Sequence, residues 1–332
     1  MNKYINLTIE EANKYYYESC EKGHFNDIKY LVENYQLDLI QEQGASKKTA
    51  IEHIILNKRL DILKYLIDNK GQKQILLNTK NNDICLSFCM WYVGIVGDIE
   101  ILKYILLKYE NIIKTNLLVD SLNLVLNGAS TSNKIEMVKY LLLSDEIKNK
   151  PKLPNFNYHA FQNATENGSL DVMDFYLTCE KLKNRPTATT YNNHGVRFAA
   201  WRGHLNIVEY LLTSERITEH ADIHSGNDSA LDGAVMNEDI EMMDFLLRSK
   251  KLKDHANIHV KNDLIFRKAV TKNKLVALKY LIVDYHIDIT EPIEKIIKSN
   301  QKIKKMFEMR DLYKKLNENF LDVEIKDKKQ KI

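Results

Sequence analysis

The stretch GHLNIVEYL, residues 203–211, decides how this chain is read, because the chain repeats it. It returns as GHFNDIKYL (23–31), KRLDILKYL (58–66), GDIEILKYI (97–105), NKIEMVKYL (133–141), GSLDVMDFY (168–176), EDIEMMDFL (238–246) and NKLVALKYL (273–281). The aromatic residue falls at Tyr30, Tyr65, Tyr104, Tyr140, Phe175, Tyr210, Phe245 and Tyr280, at intervals of 35, 39, 36 and then 35 four times. A fixed period over eight copies marks a repeat architecture. Within each copy the apolar positions keep a helical period, as in Leu205, Val208, Leu211 and Leu212, which predicts one buried stripe on the second helix of each unit.

Upstream lies a second periodic segment with a small residue at its most constrained position: Ser19, Ala129, Ala164, Ala199, Ala234 and Ala269. A small side chain there lets two helices approach closely. Ile54 and Val93 hold the equivalent place in two repeats, so looser or shifted packing is expected there. A helical hairpin of this size buries its apolar face only by stacking on copies of itself, and the two ends need their own devices. Thr8 with Glu11 reads as a capping box opening the first helix. Thr290 and Pro292 precede a shortened ninth unit in which Pro292 opens a helix. A charged helix is expected to follow to about Asn317, with residues 324–332 fraying. The chain is therefore read as all-α, with a repeat array over 1–307 and a basic helical tail over 308–332.

Composition agrees and narrows the function classes. The 332 residues are 44% hydrophobic with 11 glycines and 4 prolines, fewer of both than average usage, which favours helices joined by short connections. The N-terminal stretch shows no apolar signal region and no segment is long and apolar enough to span a bilayer, so no membrane role is expected. Cys20, Cys85, Cys89 and Cys179 lack metal or disulfide spacing and read as reduced core thiols. Residues 291–332 hold 12 basic and 8 acidic residues, so their surplus of +4 leaves 3 − 4 = −1 for residues 1–290. Acids interleave the tail's bases, which describes a solvated face better than a nucleic-acid site. Phosphate loops, nucleophile elbows and zinc-protease motifs are absent; no catalysis and no cofactor are expected. Trp91 in FCMWYVG (88–94) is expected in the core.

The run AAWRGHLNIVEYLL (199–212) resembles the central signature of the ankyrin repeat, Ala-Ala-x-x-Gly-His-x-x-x-Val-x-x-Leu-Leu. TAIEH (49–53), SALDGA (229–234) and IDITEPIEKII (287–297) are degenerate forms of that family's helix start, and the resemblance covers about residues 10–307. It implies an ankyrin-type solenoid with short β-hairpin or loop fingers. The family's unit is about 33 residues; here the second helix or its exit loop is longer and the finger shorter, except in the first and eighth repeats, which lack the insertion. With its Ile, Lys, Asn and Tyr bias, the chain is similar to ankyrin proteins multiplied in large DNA viruses of amoebae and in other intracellular parasites and their hosts. A cytoplasmic location, in the host if so, is the matching expectation.

The resemblance implies binding of a protein partner, by a monomer, through the concave face. The variable pair between Ala-Ala and Gly-His then falls at Glu166 and Asn167, Trp201 and Arg202, Met236 and Asn237, and Thr271 and Lys272. Trp and Arg are frequent interface anchors, so Trp201 either meets a partner or folds back over the neighbouring repeat. An alternative is an adaptor whose tail recruits other machinery such as a ubiquitin ligase, although the tail lacks the Leu-Pro-x-Glu-Ile start of an F-box. HADIHSGND (220–228) looks like a metal cluster, but HANIHVKND (255–263) repeats it after 35 residues. The histidines are thus read as joint residues bonding nearby backbone, and no metal is assigned.

Overall fold

The computed structural model describes residues 4–37, 39, 42–43, 48–70, 84–109, 115–151 and 158–329. It is all-helical, and its contacts divide the chain into two compact units, Met1–Thr187 and Ala188–Ile332. The first holds α1 (Ile9–Lys22), α2 (Phe25–Asn34), α3 (Ala50–Leu56), α4 (Leu60–Lys70), α5 (Ile84–Val96), α6 (Ile99–Tyr109), α7 (Thr115–Thr131), α8 (Ile135–Leu143), α9 (Tyr158–Glu166) and α10 (Leu170–Thr178). The second holds α11 (Thr190–Arg202), α12 (Leu205–Thr213), α13 (Ser225–Asn237), α14 (Ile240–Arg248), α15 (Val260–Thr271) and α16 (Leu275–Lys279). It continues through a π-helical turn (Tyr280–Asp284) to α17 (Glu291–Ser299) and α18 (Gln301–Lys329). In each unit the odd-numbered helices stack on one another in chain order, and α2, α4, α8 and α10 of the first unit and α12, α14, α16 and α18 of the second fold back on the odd-numbered helix before them.

One backbone device makes each hairpin. The first helix ends four residues past the small position on a left-handed residue: Gly23, Lys58, Gly97, Asn133, Gly168, Gly203, Glu238 and Asn273. Across that residue, N–H groups bond back to carbonyls left unpaired at the helix end. His204 donates to Ala199 (2.9 Å) and Gly203 to Ala200 (3.2 Å), and the link to the small position recurs from His24 to Ser19, Lys134 to Ala129 and Asp239 to Ala234. This is the Schellman termination, which needs one residue at positive φ. Glycine holds that residue in four repeats, where it escapes the Cβ clash of the left-handed region.

The small positions are all buried, with Ser19 at 4% exposure and the five alanines at 0%. Ile54 and Val93 are also fully buried, and the expected shift of packing is visible beside Val93. There α5 and α7 approach through Gly94 and Gly128 instead. A Cβ on Gly94 would lie 2.1 Å from the Val125 carbonyl oxygen, and one on Gly128 would lie 2.3 Å from that of Trp91. The smallest side chain has moved one place along the helix, and two bare backbones cross where an alanine does the work elsewhere. Trp91 is half-buried rather than core.

On the second helix of the opening motif, the buried stripe runs through Ile207, Val208 and Leu211; Leu205 and Leu212 are only half-buried. The extra residues after it lie in the exit loop, not in the helix, since α12 ends at Thr213 and α14 at Arg248. Each exit loop turns on a short bond, such as Ile217 N–H to the Ser214 carbonyl at 3.4 Å. The turn carries an apolar plug, buried in three copies: Ile147, Leu182 and Ile217, with Leu252 half-buried in the fourth.

The fingers of the second unit contain no strand among the described residues. Each first helix there opens instead with three consecutive left-handed residues: Tyr191–Asn193, Gly226–Asp228 and Lys261–Asp263. Seven of those nine are Asn, Asp or Gly, the types that tolerate this region best. In the first unit a two-residue antiparallel pair, Glu42–Gln43 with Lys48–Thr49, precedes α3.

The end devices are present. Thr8 and Glu11 form the reciprocal capping box, and so do Thr49 and Glu52. Pro292 lies in the first turn of α17 with Thr290 as N-cap. The last helix differs from expectation: α18 runs unbroken across position 307 and on to Lys329, well past Asn317. Its sequence contains neither proline nor glycine, so nothing interrupts helix propagation. Ile303 and Phe307 are buried, and Arg310 donates to the Ile287 carbonyl, so the start of α18 covers the end of the stack. Residues 330–332 lie outside the described residues. No described helix is long and apolar enough to cross a membrane.

Overpacking a bare-backbone crossing forces the helices apart. Gly94→Ala is expected to destabilise the first unit by about 3 kcal/mol, read as a lowered urea midpoint; an unchanged midpoint contradicts the crossing.

Candidate functional site

The repeat places one variable pair per hairpin at the end of the first helix, just before the left-handed residue. Glu166 ends α9 half-buried and Asn167 follows it exposed, its side-chain amide donating to its own helix at Asn163. In the second unit Trp201 and Arg202 end α11, Met236 and Asn237 end α13, and Thr271 and Lys272 close α15. Arg202, Asn237, Thr271 and Lys272 are exposed and Met236 is half-buried. The stack brings the three pairs of the second unit side by side, and the fourth pair belongs to the first unit.

Trp201 folds back over the neighbouring repeat. Its ring lies against Gly233 of α13, where a Cβ would come within 2.8 Å of it, and its indole N–H donates to Ser229 Oγ at 3.3 Å. It still leaves 39% of its surface exposed. Gly233 is thus the partner that lets the Trp fold over the next repeat, a relation hidden in the sequence because the two sit 32 residues apart. Asn237 likewise serves the stack, its amide donating to the Trp201 carbonyl at 2.6 Å. In the first unit Asn57 makes the same link to the Glu21 carbonyl at 2.7 Å. At positions 57 and 237 an asparagine clamps one repeat to the next, whereas Asn167 and Thr271 bond within their own helices and Arg202 and Lys272 leave their side chains to solvent.

The histidine stretch resolves into a joint. His220 and His255 each place Nε2 on a carbonyl of the preceding exit turn, Ser214 at 3.0 Å and Ser249 at 3.1 Å. Asn193, Asp228 and Asp263, the third left-handed residues of their fingers, are buried. Asn193 accepts the Asp222 N–H and Asp228 accepts the Asn257 N–H, both at 2.8 Å, while Asp263 accepts from the Thr290 hydroxyl. The buried oxygen of one finger thus holds the backbone or hydroxyl of the next. Among the described residues no group of three His, Cys, Asp or Glu side chains is placed to hold a metal ion.

One of these joints carries a titratable bridge. His224 has Nδ1 2.8 Å from Asp228 and Nε2 3.1 Å from Asp254. Both nitrogens can donate only when the ring is protonated. The Asp254 hydrogen bond, with a smaller contribution from Asp228, raises the His224 pKa above its ordinary value, and the same bond holds Asp254 below the carboxylate range. Asp222 accepts the His224 backbone N–H, and the Arg197 guanidinium lies against Gly226 two residues on. Thirty-five residues earlier the matching pair is Thr189 donating to Glu219 at 2.7 Å. Thirty-five later, Ile289 replaces the acid. Among the described residues the bridge belongs to this one joint.

Acids recur on the second helices, and several of them bond across repeats. Asp244 accepts from Tyr280 at 2.8 Å, Glu209 pairs with Lys251, and Asp171 accepts from Asn133 at 2.9 Å. Beside the first two lies an open depression of about 870 Å³ lined by Leu205, Ile240, Phe245, Arg248 and Tyr280 among others. Cys20 is buried, and burial pushes its thiol up to about 12, which removes the thiolate a reactive cysteine needs. Cys89 is buried too, Cys179 is half-buried, and the Cys85 side chain lies outside the described residues. In comparisons with known proteins, no family model and no curated protein sequence matches this chain.

Two measurements check this account. Truncating a tryptophan that is packed on one side removes apolar contact, so Trp201→Ala is expected to cost about 2 kcal/mol; unchanged melting means that the ring packs on nothing. A folded-state pKa raised above the unfolded value adds stability that is full below about pH 6.5 and is lost as pH rises through the folded value. Melting temperature should therefore fall from pH 6 to pH 8 more steeply in the native chain than in His224→Gln. Parallel slopes contradict the bridge.

Proposed function

We propose that the chain is a divergent ankyrin-type solenoid that acts as a protein-interaction module in the cytoplasm, with no catalytic role. The observation that supports this reading is the placement of the variable pairs. Each hairpin ends its first helix at one fixed left-handed residue, so the two positions before it present side chains from a rigid edge, one pair per repeat. On such an edge the core positions are constrained by stacking and the paired positions are free to vary, which suits recognition of a partner across several repeats. Trp201 supplies a partly exposed aromatic anchor held in one orientation by Gly233 and Ser229, and such preorganised aromatics carry much of the energy of interfaces.

The test uses the full chain in cells with a photo-crosslinking amino acid in place of Thr271 or Met236, and separately in place of Lys279 on α16. A protein crosslinked from the first two positions and absent from the third supports the proposal. Crosslinks from position 279 alone, or equally from all three, overturn it.

A further inference from the structure

The three first helices of the second unit sort their charges by depth. All the acidic residues on α11, α13 and α15, namely Asp228, Asp232 and Asp263, are buried at 2%, 9% and 1% exposure. Asp228 and Asp263 are committed to the finger joints. Asp232 is committed to Lys268, whose ammonium lies 2.6 Å from its Oδ2. The charges left at the surface of these helices are positive: Arg202, Lys261 and Arg267 are exposed, as is Lys272 at the end of α15. Arg202, Arg267 and Lys272 form no ion pair among the described residues. The second helices α12, α14 and α16 carry Glu209, Glu241 and Asp244 against Arg248 and Lys279, a net of 2 − 3 = −1, beside the exposed cations of α11 and α15.

α11 exposes three aromatics, Tyr191 at 53% in its first turn and, further along towards Arg202, Phe198 at 37% and Trp201 at 39%. The latter two are engaged on one side: Phe198 stacks on His194 with centroids 4.0 Å apart, and Trp201 lies on Gly233. Nucleic acid bound without sequence preference needs open ring faces for its bases and an unbroken cationic track for its phosphates. Here Phe198 and Trp201 each have one side engaged, and α13 carries no cation between those of α11 and α15. Separate cations with an apolar ledge to one side match carboxylates spaced along a polypeptide that also carries an apolar side chain.

We infer that the exposed face of α11, α13 and α15 binds an acidic protein segment, its carboxylates meeting Arg202, Arg267 and Lys272 and an apolar residue resting against Trp201 and Phe198. Opposite charges facing each other across the surface set specificity and speed of encounter. The inference rests on the interaction-module reading and adds the chemistry of the partner.

The test is fluorescence anisotropy of the full chain with a labelled peptide of about 16 residues, Glu- and Asp-rich around one Phe and one Leu. A lysine-substituted peptide and an oligothymidine of similar length serve as comparisons. The acidic peptide should bind, weaken as salt rises from about 50 to about 300 mM, and lose about ten-fold in affinity in Arg202→Glu/Arg267→Glu/Lys272→Glu. Lys250→Glu/Lys253→Glu/Lys279→Glu, which changes net charge equally away from this face, should lose less than about two-fold. Arg202→Gln/Arg267→Gln/Lys272→Gln gives the milder version should the reversed variant lose its native circular dichroism. No binding of the acidic peptide, equal losses in the two charge-reversed variants, or tighter binding of the oligothymidine overturns the inference. Should crosslinks from positions 236 and 271 persist while the acidic peptide fails, the interaction module stands and only the partner chemistry falls; should both fail, the module reading falls as well.

Discussion

At the end of the first helix in each of the eight repeats the backbone reverses through a single left-handed residue, and in six of them the next N–H bonds back to the carbonyl of the small residue five places earlier. The rest of the structure follows from that reversal. It sets the angle at which the second helix returns, and therefore which of its residues meet the first helix. It also fixes where the variable pair sits, because those two positions complete the last turn before the reversal. Glycine is the least costly occupant, yet Lys58, Asn133, Glu238 and Asn273 hold the place in four repeats. Glu238 compensates by accepting the Val276 N–H at 2.8 Å. That such residues are tolerated shows how strongly stacking determines the backbone here.

A second constraint acts between repeats. An array whose units touch only their neighbours has to make each joint specific, and this chain does so with buried polar side chains as well as apolar contact. Asn193, Asp228 and Asp263 each reach from one finger to the next. An unpaired buried donor or acceptor costs more than a net hydrogen bond contributes, so these links penalise a slipped register more than they stabilise the correct one. The exit-loop plugs Ile147, Leu182 and Ile217 add the apolar half of the same joint. Burying the acids of α13 and α15 in these links also leaves the exposed charges of α11, α13 and α15 positive, so the joint chemistry bears on the proposed partner chemistry.

Much of the hairpin was legible in the residues. The 35-residue period, the small position, the capping box at Thr8 and the helix start at Pro292 all appear in the structure where the spacing put them, because each depends on residues close in sequence. The stripe on α12 was legible only in part, since Leu205 and Leu212 are half-buried while Ile207 is buried. Helical period alone does not say which edge of a stripe the neighbouring repeat covers. The plugs were missed although they too recur every 35 residues, because a lone apolar residue among charges reads as loop.

The sequence by itself determined the local pieces: where helices start, where they reverse and how often the pattern returns. Those follow from backbone sterics and periodicity, which act over a few residues. Only the tertiary structure decided what lies against what. It set Trp201 on Gly233, replaced the alanine approach by Gly94 against Gly128, and put His224 between Asp228 and Asp254. It also divided the candidate residues into clamps, such as Asn237, and side chains open to solvent, such as Arg202 and Lys272. Each of those outcomes depends on groups about one repeat apart in the chain, and their distance in space is set by stacking, which no local rule encodes.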